Sequence, residues 1–139
     1  MYDKTAKMPD GIPTMRAIAM PADTNANGDI FGGWLLSLMD LAAGSVAGRR
    51  SRGRAATVAI EAMAFLAPVK VGDEVSVFSH IARVGHTSIR VEVEAWRRAR
   101  ESDETYKVTQ GVFTFVAIDE DGKPRQMPPE ETPAAGPAT

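Results

Sequence analysis

Asp40 is the residue of this chain that most invites a chemical question, and the question begins fifteen residues before it. The run Asn25-Ala26-Asn27-Gly28-Asp29-Ile30-Phe31-Gly32-Gly33-Trp34 sets two asparagines, three glycines and an aspartate against large apolar side chains, just where a helix must begin. From Ile30 to Ala47, the residues Phe31, Trp34, Leu35, Leu38, Ala42 and Ser45 follow i, i+3, i+4, i+7 spacing and predict one apolar stripe. At about 100° per residue Asp40 falls on the opposite side, with Gly33, Ser37 and Gly44 as its small neighbours. Each interior glycine costs roughly 0.5–1 kcal/mol relative to alanine, so that face is shaped for close approach by a partner chain or a ligand. The alternative is a solvated acid among small surface residues. Other chemistries are thinly supplied. The 139 residues include no cysteine, which removes thiolate nucleophiles, thiolate zinc sites and disulfides. The two histidines, His80 within a strand and His86 at a turn, support neither a serine triad nor a histidine metal site.

The elements that hold Asp40 follow from where the apolar period changes. Asp29 or Asn27 can cap the start of the helix and Gly48 its end, with Arg49 and Arg50 suited to the negative end of the dipole. Beyond it, Thr57 to Leu66, Glu74 to Val84, Ser88 to Trp96 and Tyr106 to Ile118 read as strands. Turn signals at Pro68 to Asp73, Val84-Gly85-His86 and Ala99 to Glu104 separate them. Ile89, Val91, Val93 and Ala95 share one strand face, and Arg90, Glu92, Glu94 and Trp96 share the other. Thr14 to Met20 predicts a further strand before the helix. Strand, helix, then four strands in a meander describes an α+β domain: one long helix packed on a five-stranded antiparallel sheet.

At this length a single domain is expected over residues 12–125, between a polar, disordered N-terminal tail (1–11) and a flexible, proline-rich C-terminal tail (126–139). A net charge of −2, with 24% charged and 44% hydrophobic residues, argues against a disordered or nucleic-acid-coating chain. The N-terminus has no apolar signal segment, and no stretch approaches the roughly 18 apolar residues of a membrane span. The expected address is the cytoplasm, with neither nucleic acid nor membrane as partner.

The run MPADTNANGDIFGGWLLSLMD, followed by TVAIEAMAFLAPVKVGDEV and VGHTS, resembles the YciA-type acyl-CoA thioesterases of the hot-dog-fold superfamily over about Met15 to Pro128. The resemblance implies a curved antiparallel sheet wrapped around the long helix, and double hot-dog dimers that assemble into hexamers as trimers of dimers. It implies hydrolysis of acyl-CoA to fatty acid and coenzyme A, with no metal and no cofactor, because coenzyme A belongs to substrate and product. Asp40 matches the family's catalytic acid, acting as general base on water or attacking directly to give a mixed anhydride. A thioester carbonyl under attack develops negative charge on oxygen, and the N–H of Gly32 or Gly33 at the helix N-terminus is the expected donor to it.

Further residues join these on the substrate side. Asn25 and Asn27 shape the pocket rim, or else build a turn from left-handed conformations. Phe31 lies beside them, and Thr57 is placed to orient water or substrate across a dimer. Glu61, Met63 and Phe65 alternate on one strand face, so Met63 and Phe65 line the core or the acyl tunnel. Gly85, His86, Thr87 and Ser88 fall where the resemblance puts a turn and strand edge against coenzyme A, although a hairpin explains them as well; His86 departs from the arginine or lysine of many relatives. Arg54, with Arg49, Arg50 and Arg52, forms a basic cluster for the nucleotide phosphates or a solvated charge run. Gly32 and Asp40 are eight residues apart, about 12 Å along one axis, whereas reacting atoms must come within about 3–3.5 Å. Two antiparallel helices across a two-fold axis would bring the N-terminus of one beside the middle of the other. The competing readings are a non-catalytic acyl-CoA-binding module and a hydratase or dehydratase, which would need a histidine near Asp40.

Overall fold

The computed structural model describes residues 6–130; residues 1–5 and 131–139, which hold the outer parts of both expected tails, lie outside them. The elements are β1 (Met15–Ile18), α1 (Gly32–Ser51), β2 (Ala55–Phe65), β3 (Glu74–Val84), β4 (Ser88–Arg98) and β5 (Thr105–Ala117), with a short 3-10 turn at Pro21–Asp23. All five strands form one antiparallel sheet in the order β1-β3-β4-β5-β2. Only β3, β4 and β5 make a meander. β2 pairs with β5, from Ala55 opposite Ala117 to Phe65 opposite Thr109, and not with β3. Alternation reveals the faces of a strand but not its neighbour; here the Leu66–Asp73 link, with Pro68 and Gly72, is too long for a tight hairpin and carries the chain across the sheet to β3, which lies between β1 and β4.

The inner face of β4 is as the alternation predicts: Ile89, Val91, Val93 and Ala95 are all buried, beside Val75 and Val77 of β3 and Phe113 and Phe115 of β5. Trp96 is buried too, against expectation. A register shift between Ala95 and Trp96 sets it opposite Lys107, and Met8 of the N-terminal segment lines a small cavity with it.

Helix α1 contacts β2, β3, β4 and β5, so the sheet curves around it. Its buried residues are Leu35, Met39, Ala42, Ala43, Ala47 and Ser51, while Phe31 and Ser45 of the expected stripe are exposed. The buried face is therefore rotated by about 100° from the expected one. The reason is size. Three of these residues are alanines, buried in one cluster with Phe113 and Phe115, and a Cβ on the neighbouring Gly44 would lie 3.7 Å from Phe115; a count of large apolar residues overlooks them. Asp40 is consequently not opposite the core but on its flank, half-buried. The helix also starts later and ends later than its sequence signals suggest. Phe31, in extended conformation, occupies the N-cap position with no side-chain cap, so neither Asn27 nor Asp29 serves there. Gly48 lies within the helix, its carbonyl taking the N–H groups of the left-handed Arg52 and of Gly53.

Past β5 the chain returns to the helix. Met127 is buried, its N–H donating to the His86 carbonyl at 2.6 Å, and Arg50 Nη1 donates to the Pro128 carbonyl at 2.6 Å. Packed structure thus continues beyond Arg125.

Candidate active site

The loop before α1 is held by its own polar groups. Asn25 Oδ1 accepts the N–H of Asn27 at 2.9 Å and of Asp29 at 3.2 Å, and Gly28 supplies the left-handed residue at φ 81°. The turn reading thus accounts for the Asn25 side chain, while Asn27 is exposed. The loop delivers Phe31, whose N–H donates to Asp23 O at 3.3 Å, and Trp34 N–H donates to Phe31 O at 3.1 Å. Between them, the N–H groups of Gly32 and Gly33 have no acceptor among the described residues. They are the orphan donors at the positive end of a twenty-residue helix dipole, a natural seat for developing negative charge. Space at both is tight: a Cβ on Gly32 would lie 3.4 Å from Phe65 Cζ, and one on Gly33 3.4 Å from Phe31 Cδ2. A cavity of about 350 Å³ opens beside Gly32, walled by Ile30, Leu35, Phe65, Leu66, Val69 and Val108 among others.

Midway along α1, Asp40 turns toward β2. Thr57 Oγ1 donates to Asp40 Oδ1 at 2.6 Å, within one chain. Thr57 therefore reaches the acid of its own protomer, where the sequence suggested action across a dimer. The second carboxylate oxygen has no partner among the described residues. Asp40 does not line the cavity beside Gly32, and the eight-residue spacing within one straight helix keeps the two about 12 Å apart.

β2 carries two irregularities. One lies between Thr57 and Ala59; the other, between Glu61 and Ala64, includes Ala62 at φ 56°. The second separates residues that simple alternation places together. Glu61 stays on the outer face and pairs with Arg90 at 2.6 Å, whereas Met63 turns inward over Gly111 and Phe65 reaches the cavity. Met63 is thus partly buried, packed against the core.

The remaining candidates gather at the far end of α1. Gly85 N–H donates to Ser88 O at 2.7 Å in a tight turn, where a Cβ on Gly85 would sit 2.8 Å from Ser88 Oγ. His86 is exposed, and Thr87 O takes the Ala117 N–H at 2.8 Å. Arg54 is exposed next to this turn, its carbonyl accepting from Ile118 N–H at 3.0 Å and from Arg125 Nη2 at 3.1 Å. Arg125 also donates to Ile118 O at 2.9 Å and Ser51 O at 2.8 Å, so one guanidinium ties the helix end to β2 and to the chain after β5. No sequence motif marks Arg125; the neighbouring Gly53, where a Cβ would come within 2.7 Å of its Nη2, is the only hint. Among the described residues there is no group of three or more histidines, cysteines, aspartates or glutamates that could hold a metal ion. No helix there is long and apolar enough to cross a membrane.

One long helix held in a curved five-stranded antiparallel sheet, with an acid on the helix flank and free N–H groups at its start, defines a hot-dog domain. The thioesterase-superfamily model matches residues 27–103. An uncharacterized acyl-CoA thioester hydrolase of Zymomonas mobilis is 54% identical over 87% of this chain and 81% of its own. The acyl-CoA thioester hydrolase YciA of Escherichia coli is 45% identical over 91% of this chain and 98% of its own. The crystal structure of a hexameric thioesterase from Yersinia pestis superposes with a TM-score of 0.82 at 47% identity, covering 88% of this chain and 99% of that one. The chain belongs to the YciA-type acyl-CoA thioesterases of the hot-dog-fold superfamily.

Proposed function

We propose that the protein hydrolyses acyl-CoA thioesters to a carboxylic acid and free coenzyme A, with Asp40 as the reacting carboxylate. One observation carries this reading: the Asp40 side chain is half-buried, with Oδ1 held by Thr57 at 2.6 Å and Oδ2 unengaged among the described residues. A carboxylate fixed by one oxygen presents the other in a defined direction. As general base, Oδ2 takes a proton from water while the water oxygen bonds to the carbonyl carbon. The C–S bond then breaks, and the departing thiolate takes the proton. Direct attack by Oδ2 instead gives a mixed anhydride that water opens. In both routes the N–H of Gly32 or Gly33 meets the charge on the carbonyl oxygen. Neither route calls for a metal or a cofactor.

Because donors and acid lie about 12 Å apart in one chain, the proposed site is shared between antiparallel helices of a dimer. β2 supports this: it is an edge strand, open to pairing, with Val58 and Ile60 exposed. Assembly as a trimer of dimers draws support from the hexameric Yersinia relative. Coenzyme A would then extend toward Gly85, His86, Thr87, Ser88 and Arg54, with Asn25 and Asn27 at the rim. The substrate and the lack of cysteine support a cytoplasmic address. Release of free thiol from acyl-CoA substrates, followed with a chromogenic thiol reagent, tests the proposal; binding without release would make the protein a non-catalytic module.

A further inference from the structure

Residues 118–130 leave the sheet after β5, and Met127 is the one buried residue among them, 7% exposed and packed in the hydrophobic core. Three ties hold this segment down. Arg125 donates to Ser51 O and Arg54 O, Arg50 Nη1 donates to Pro128 O, and Met127 N–H donates to His86 O at 2.6 Å. One strap therefore joins the end of α1, the start of β2 and the turn between β3 and β4. The tie to the turn also sets a direction. Three successive carbonyls there are each taken by a different partner: His86 O by Met127 N–H, Thr87 O by Ala117 N–H at 2.8 Å, and Ser88 O by Gly85 N–H at 2.7 Å. Across a planar trans peptide the carbonyl and the next N–H point in opposite directions, so the grip on His86 O aims the Thr87 N–H away from Met127. The N–H groups of His86 and Thr87 have no acceptor among the described residues, and the His86 side chain is exposed.

We infer that residues 124–130 form a strap that holds the His86 turn in place for the nucleotide end of coenzyme A, with Met127 as the positioning residue. The inference rests on the reading above that coenzyme A extends toward this turn. Met127 is apolar and buried, so it acts on coenzyme A through the turn and not by contact. Arg50 is likewise engaged with a strap carbonyl. A turn released from the strap has to be ordered at each binding event, which weakens affinity by about 5- to 30-fold for each residue fixed. None of the strap's hydrogen bonds reaches Gly32, Asp40 or Thr57, and Asp40 lies ten residues before Arg50, about 15 Å along α1. Loss of the strap therefore weakens binding of the coenzyme A portion and leaves the chemical step alone.

The test compares two substrates on the full chain: butyryl-CoA, and the butyryl thioester of N-acetylcysteamine, which has no nucleotide. Met127→Pro deletes the N–H and Met127→Ala the buried anchor, whereas Met127→Leu keeps both. The proline and alanine variants should raise KM for butyryl-CoA, and the calorimetric Kd of free coenzyme A, at least about tenfold. Their kcat for butyryl-CoA and their kcat/KM for the short thioester should stay within about twofold of the parent, and Met127→Leu should behave as the parent. A folded proline or alanine variant with parental KM and Kd, or an equal loss on the two substrates, would overturn the inference. If both variants fail to fold, hydrogen exchange on the parent decides: coenzyme A should slow exchange at Met127 together with His86 and Thr87, and protection of the turn without Met127 would overturn it. Coenzyme A binding that depends on Met127, with no thiol release from butyryl-CoA by the parent, would support the strap and overturn the thioesterase reading instead.

Discussion

Thr57 Oγ1 donates a 2.6 Å hydrogen bond to Asp40 Oδ1, joining the middle of the helix to the start of the edge strand β2. This contact orients the one acid on the helix flank, and it is made within a single chain. The prediction nearest to it is that Thr57→Val lowers kcat by about 10- to 100-fold, because the carboxylate loses both its orientation and a charge-assisted hydrogen bond. Thr57→Ser keeps the hydroxyl and should recover most of that loss. If the valine and serine variants have equal kcat, Thr57 does not position Asp40.

Asp40→Ala removes a half-buried polar group rather than core volume, so the variant should keep its circular dichroism spectrum and thermal midpoint within a few degrees. Its thiol-release rate should fall by at least about 10²-fold, the lower end of what a positioned base supplies. Residual turnover near the parent rate would remove Asp40 from the mechanism.

The separation of Gly32 from Asp40 along α1 leads to a complementation experiment. Asp40→Ala and Gly33→Pro, each nearly inactive, should regain part of the activity when refolded together, since some mixed dimers then hold one intact site. Proline is tolerated in the first helical turn and deletes the N–H, and Gly32→Pro run in parallel identifies which glycine donates. Well-folded mixtures from both pairings that stay as inactive as their parents would refute a shared site.

Association and activity should move together. The active protein is expected to be a dimer or larger by light scattering at every assay concentration, because β2 leaves a ladder edge and the apolar Val58 and Ile60 exposed. Replacing both with lysine should reduce mass and turnover in parallel. A monomer with parental kcat would contradict this.

Arg125 holds three carbonyls, those of Ser51, Arg54 and Ile118, with one guanidinium. Arg125→Met should therefore lower unfolding free energy in urea by about 1–3 kcal/mol. Gly53→Ala should also destabilise, because the added Cβ would crowd Nη2 at 2.7 Å. No change in either urea midpoint would show that the clasp contributes nothing.

What the sequence determined by itself is whatever depends on local period and local chemistry. β3 spans Glu74–Val84 as its alternation predicts, the four apolar residues of β4 are buried together, and the asparagine-glycine run forms a turn. The long motif was enough to place the chain in its family. Asp40 and the two glycines stand out in the sequence because a polar residue and flexible residues in an apolar helix break a regular pattern. Tertiary structure alone decided three other things, each because the deciding contact comes from residues distant in sequence. The pairing of β2 with β5 depends on where an eight-residue link carries the chain, which alternation does not encode. The rotation of the buried helix face depends on alanines packing into one core cluster with Phe113 and Phe115, and so on the size of partners some seventy residues away. That rotation turned Asp40 from the far side of the helix to the flank where Thr57 meets it. Finally, the bulge at Ala62 shifts strand phase by one residue, sending Glu61 outward and Met63 inward, and a one-residue change of phase cannot be seen in a pattern of period two until the partner strand is in place.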